Sequence, residues 1–185
     1  MTFDEYQSYF EDILTNTAAH EIYANNPDYL NYTKLNWSRM NRWLKKFEPS
    51  EKMKNCIQQI KDPQHWIVIT EPWCGDAAHS VAQLYLIVKD NPMIDFDIQL
   101  RDAEPFLIDE YLTNGGKSIP KLIIRNEVGH DKLVWGPRPA ALQQLFEELK
   151  AQDQPFDVLK EALQKWYNDD KGEEIQKELT SLLAE

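Results

Sequence analysis

Apolar positions along the chain change period several times, and each change marks a boundary between helical and extended stretches. Over residues 3–19, Phe3, Tyr6, Phe10, Ile13, Leu14 and Thr17 recur at helical spacing. Residues 20–33 are rich in turn formers and read as a loop with a short helical turn. Helical spacing returns over residues 34–47 through Leu35, Trp37, Met40, Trp43, Leu44 and Phe47. Pro49 interrupts it, and Ser50 is placed to cap a helix over 51–61 with Met53, Ile57 and Ile60 inward. After the Asp62-Pro63 break, His65 to Thr70 is a short run with β-branched residues, of the type found in a strand buried on both faces.

The pattern then alternates between the two periods. Residues 75–90 read as a helix with Ala78, Val81, Ala82, Leu84, Tyr85 and Val88 on its inner side, ended by Asn91-Pro92. Residues 94–101 alternate apolar and polar, as a strand with one solvated or partly covered face does. Asp102 to Thr113 is expected to be a short helix, closed by Asn114-Gly115-Gly116. Residues 121–125 and 132–135 flank a turn at 126–130 and predict an antiparallel hairpin. Residues 140–151 predict a helix with Leu142, Leu145, Phe146 and Leu149 inward. Residues 157–167 and 173–184, separated by Gly172, predict a helical tail.

The strand-helix-strand crossover implies a parallel pair and the hairpin an antiparallel pair, so the sheet is expected to be mixed. The division that follows is a helical N-terminal extension over 1–62, packed on an α/β core over 63–152, and a C-terminal helical tail over 153–185.

Charge narrows the function. The net charge is −11 over 185 residues. That argues against nucleic acid and against anionic membrane surfaces, both of which need clustered Lys and Arg. No apolar run approaches the about 18–20 residues of a membrane span. The start, Met1 to Tyr6, lacks the basic and apolar segments of a signal peptide, so the expected location is cytosolic. The two cysteines, Cys56 and Cys74, are then expected to be free thiols.

The candidate chemistry lies in Ile69-Thr70-Glu71-Pro72-Trp73-Cys74-Gly75-Asp76-Ala77-Ala78. It reads as a strand end, a short loop, a cysteine and a helix start, where N–H groups and the helix dipole favour a thiolate. Asp76 opposes that, because a carboxylate beside the sulfur disfavours its ionisation. The histidines, His20, His65, His79 and His130, have no metal-ligand spacing among themselves or with the cysteines, and His79 is expected to face away from the thiol. Asn114 to Ser118 ends like a phosphate-binding loop, but Tyr111 stands where its first glycine is required. Trp37, Trp43, Trp66 and Trp166 read as core residues.

The stretch resembles the thioredoxin active site, Trp-Cys-Gly-x-Cys, with Ala77 in place of the second cysteine. Trp-Cys-Gly-Asp-Ala-Ala-His looks like a bacterial branch of thioredoxin-like proteins with an N-terminal helical extension. The resemblance implies a thioredoxin-like fold, a central four-stranded mixed sheet flanked by helices, with further helices at both ends. It implies Cys74 as the reactive residue. Trp73, Gly75, Asp76, Ile119 and Pro120 are then the substrate-binding positions. Ile119-Pro120 matches the family's cis-proline, where Ile119 would offer its backbone N–H and C=O to a substrate peptide or to glutathione. The acidic residue that helps proton transfer in the family falls near Val68, which cannot do so. Without a resolving thiol at Ala77, the dithiol reductase cycle is lost within the motif.

Two functions remain. One is monothiol exchange or thiol capture, with protein thiols or disulfides as partners and glutathione as the only co-substrate in view; no other cofactor and no metal is implied. The other is a redox-inactive thioredoxin-fold protein-interaction module. A dithiol enzyme using Cys56 with Cys74 would need their Cα atoms within about 7 Å, and packing is the simpler role for Cys56. The sequence sets no oligomeric state.

Overall fold

A computed structural model of the chain describes residues 1–184. The chain begins with four helices: α1 (Phe3–Thr15), α2 (Glu21–Ala24), α3 (Pro27–Lys46) and α4 (Glu51–Gln58). Thr2 starts α1 with a capping box, in which Glu5 N–H donates to Thr2 Oγ1 and the Glu5 carboxylate accepts from Thr2 N–H. Ser50 caps α4 by accepting from Met53 N–H.

The stretch expected to be a loop over 20–33 is largely helical. Its turn formers are start signals: Asn26 accepts from Tyr29 N–H at 3.2 Å, and Pro27 occupies the first turn, where a missing N–H costs nothing. The inward face of α3 also differs from expectation. Thr33, Asn36, Met40 and Trp43 are buried, while Leu35 is 53% exposed. Asn36 turns inward because its side-chain amide satisfies the buried carbonyl of Pro72 at 3.0 Å.

The core follows as β1 (Gln64–Thr70), α5 (Ala77–Val88), β2 (Ile94–Leu100), β3 (Lys121–Asn126), β4 (Asp131–Trp135) and α6 (Ala140–Ala151). The strands form one sheet in the order β2-β1-β3-β4. β1 is parallel to β2 and antiparallel to β3, and β3 is antiparallel to β4. Trp66, Ile67, Val68 and Ile69 are at most 1% exposed, as a central strand covered on both faces requires. α5 is buried nearly all round: Ala77 to Leu84 are all inside, with α3 packed along it.

The expected helix over 102–113 is not formed. A single 3-10 turn spans Leu107–Glu110, because Pro105 in mid-segment interrupts any helical hydrogen-bond ladder. In α6 only Leu142 is fully buried, and Leu145, Phe146 and Leu149 are half-buried.

The chain closes with α7 (Phe156–Asp170) and α8 (Glu173–Leu182). Ile175 and Leu179 of α8 join one core cluster with Met53 and Leu84. Glu178 receives hydrogen bonds from Trp135 Nε1 and from Ala140 N–H, tying α8 to the end of β4 and the start of α6. Trp166 is half-buried, not a core residue. Among the described residues no helix is long and apolar enough to cross a membrane.

Candidate functional site

β1 delivers the chain to Glu71 and Pro72, and Cys74 N–H donates back to Glu71 C=O at 3.0 Å. The helical ladder begins at once, with Ala78 N–H donating to Cys74 C=O at 3.2 Å. Cys74 therefore sits in the turn that opens α5. The loop before β3 lies against it: Cys74 Sγ–H donates to the Ile119 carbonyl at 3.4 Å, and the Ile119–Pro120 peptide is cis. Gly136 lets the opposite strand close behind Pro120. A Cβ at Gly136 would fall 2.3 Å from the Pro120 oxygen, and its φ of +109° suits glycine alone.

Cys74 is 7% exposed. Burial, and then the Asp76 carboxylate, push its thiol up to about 12; hydrogen bonds from the Ala77 and Asp76 backbone and the Arg138 charge act the other way but do not prevail. Asp76 is clamped from two sides. Arg138, just beyond β4, pairs with its Oδ2 at 2.7 Å, and Tyr167 of α7 donates to its Oδ1 at 2.9 Å. Burial raises the Asp76 carboxyl above its ordinary value, against the pull of Arg138 and Tyr167.

Tyr167 also stacks on His79, with ring centroids 4.2 Å apart. Trp43 Nε1 can only donate, so His79 Nδ1 accepts from it at 3.0 Å and Nε2–H faces Gln164 Oε1 at 3.1 Å. Burial pushes His79 down to about 3, so it is neutral throughout the physiological range. Asp76 and His79 are three apart on one helix face, and Tyr167 bridges them. That spacing was the signal available in the sequence, but its partner lies 91 residues away.

The remaining predicted positions separate. Trp73 turns to the helical extension, stacked on Tyr29 at 5.0 Å with the Arg101 guanidinium 4.6 Å from its ring centre. Ile119 and Pro120 are buried, and the Ile119 carbonyl is already engaged by Cys74. Gly75 is exposed, with the Arg39 guanidinium close by: a Cβ built there would lie 3.9 Å from Nη1. Cys56 is half-buried on α4, and no disulfide joins it to Cys74. Among the described residues no group of three His, Cys, Asp or Glu side chains is placed to hold a metal ion.

Glu71 is the residue that sequence reasoning passed over. The position matched to the family's acidic residue, Val68, is buried in β1, and a carboxylate stands three positions on. Glu71 is 5% exposed, accepts from Asp102 N–H at 3.0 Å, and is pushed up to about 7, chiefly by burial.

Comparison with known proteins bears on the fold. The solved structures that superpose on the chain include two of low sequence identity. One is an HIV epitope scaffold, with a TM-score of 0.57 at 17% identity over 82% of this chain and 84% of its own. The other is a protein of unknown function from Pseudomonas aeruginosa, with a TM-score of 0.52 at 19% identity over 75% and 85%. No curated protein matches the chain. A family model described as Thioredoxin matches residues 24–150, from just before α3 to the end of α6, leaving Tyr167 and the rest of α7 outside the match. That stretch is more than half of the chain and contains the whole sheet and the Cys74 turn, so the chain belongs to the thioredoxin family.

Proposed function

We propose that this protein is a thioredoxin-fold protein-interaction module whose single motif cysteine rests as a neutral thiol. One observation carries the reading: Cys74 Sγ–H donates to the Ile119 carbonyl, with the Asp76 carboxylate two residues along. An ionised sulfur would face a carbonyl oxygen and a carboxylate together, both repulsive to it. Ala77 supplies no second thiol, so no reductase cycle closes within the motif. Two free cysteines suit a reducing, cytosolic setting.

The alkylation rate of Cys74 tests this in a Cys56→Ser background. A thiol at about 12 rather than its ordinary 9 holds about a thousandfold less thiolate at pH 7. Iodoacetamide labelling is therefore expected to be slower than that of a small free thiol by about that factor, rising with pH through the alkaline range. Labelling at the small-thiol rate at pH 7 would defeat the reading.

That result would favour the second function, monothiol exchange. Its support is the set of groups that lower the thiol: the Asp76 and Ala77 N–H groups and Arg138. In that reaction the Cys74 sulfur loses its proton and attacks one sulfur of a partner disulfide. A mixed disulfide forms, the partner's S–S bond breaks, and the departing thiolate takes up a proton. An outside thiol such as glutathione then attacks the mixed disulfide and frees Cys74.

A further inference from the structure

α3 is a cationic helix in an acidic protein. It carries Lys34, Arg39, Arg42, Lys45 and Lys46 against one carboxylate, Asp28, in a chain of net charge −11. At the α-helical period of about 100° per residue, exposed Lys34, Arg42, Lys45 and Lys46 share the face turned away from the buried Thr33, Asn36, Met40 and Trp43, and half-buried Arg39 flanks it. Among the described residues, none of the five forms an ion pair. Arg39 and Arg42 are held instead by neutral amide oxygens, Asn36 Oδ1 at 2.9 Å and Asn168 Oδ1 at 2.6 Å, which orient the guanidinium groups and leave their charge uncompensated.

The face is shaped as well as charged. Trp37, Ser38, Asn41, Arg42, Lys45 and Lys46 border a shallow, open depression along the α3 surface. Exposed Leu35 stands on the same side. The face also reaches the motif, since Arg39 lies against Gly75, next to Cys74.

We infer that this face of α3 is the docking surface of the module, and that its occupant is a short acidic segment of a protein partner. The inference rests on the interaction-module reading and supplies that module with a place and a partner chemistry. Length and charge select the occupant. From Lys34 to Lys46 the helix rises about 18 Å, which about five extended residues span. An acidic stretch of that size spans the patch and ends with it. A nucleic acid duplex carries a charge about every 1.7 Å and runs on past the patch, over a surface that repels it.

Fluorescence anisotropy with labelled hexaglutamate tests the inference on the full chain. Binding is expected at about 20 mM salt and is expected to weaken strongly at about 300 mM. Replacing Lys34, Lys45 and Lys46, all exposed, by Gln is expected to weaken binding about tenfold or more, while the same change at exposed Lys61, Lys132 and Lys150 is expected to alter it less than about twofold. Cys74→Ala is expected to bind as the parent does, so the result stands apart from the alkylation measurement that judges the resting thiol. Equal losses in the two triple variants, absence of peptide binding, or loss of binding in Cys74→Ala overturns the inference. So does tighter binding of an oligonucleotide than of the peptide, or a dimer that only the α3 variant abolishes, which would seat a second copy on the face.

Discussion

Replacing Glu71 by Gln is expected to stabilise the protein at alkaline pH and to flatten its stability profile. Glu71 lies inside, at the junction of β1 with the Cys74 turn, where one oxygen accepts from Asp102 N–H at 3.0 Å. Arg101, whose charge favours the ionised carboxyl, is engaged by Asp102 and lies over Trp73, so it compensates the buried carboxylate only in part. The carboxyl is consequently raised from 4.5 to about 7. The folded state then binds the proton more tightly than the unfolded chain does. The contribution to stability is complete below pH 4.5, declines as pH rises through about 7, and is gone above it. At 1.36 kcal/mol per pH unit, the interval from 4.5 to about 7 amounts to about 3 kcal/mol. Gln keeps an acceptor for Asp102 N–H and carries no charge at any pH. Urea unfolding followed by tryptophan fluorescence at about pH 5 and pH 8.5 measures the difference. The parent is expected to lose about 2–3 kcal/mol more than Glu71→Gln between the two conditions. Parallel profiles, agreeing within about 0.5 kcal/mol, would refute the account of a costly buried carboxylate.

Two other substitutions probe the C-terminal helices. Gly172→Ala places a Cβ 2.7 Å from both Phe47 Cε2 and Gln83 Oε1 at a φ of +83°. It is expected to cost about 2–4 kcal/mol from overpacking and backbone strain together, read as a lower urea midpoint, and an unchanged midpoint contradicts the close approach. Tyr167→Phe keeps the stack on His79 and removes the hydrogen bond to Asp76. A loss of about 1–2 kcal/mol is expected, and the same change in an Asp76→Asn background should cost less; full additivity would show that the two side chains are not coupled.

The fold was legible where the pattern is local. The β-branched run of β1, the apolar α5, the hairpin and the Ser50 cap all follow from periods and turn residues within a few positions. The same reasoning misread residues 26 and 27, where Asn and Pro open a helix instead of making a loop. It misread residues 102–113, where one proline outweighs a weak helical pattern. Leu35 and Asn36 exchanged places because a buried carbonyl 36 residues away needed a donor, and periodicity carries no record of such a need.

Cys74 at a helix start, and the want of a second thiol at Ala77, are matters of order along the chain, and folding cannot alter either. The state of that cysteine is a different kind of fact. It depends on the Ile119 carbonyl, on Arg138 and on Tyr167, which reach the Cys74 turn from beyond α5, from beyond β4 and from α7. Ionisation answers to solvent exclusion and to charges within a few ångströms. Neither is a function of sequence separation, so both enter only when the chain has closed around the site.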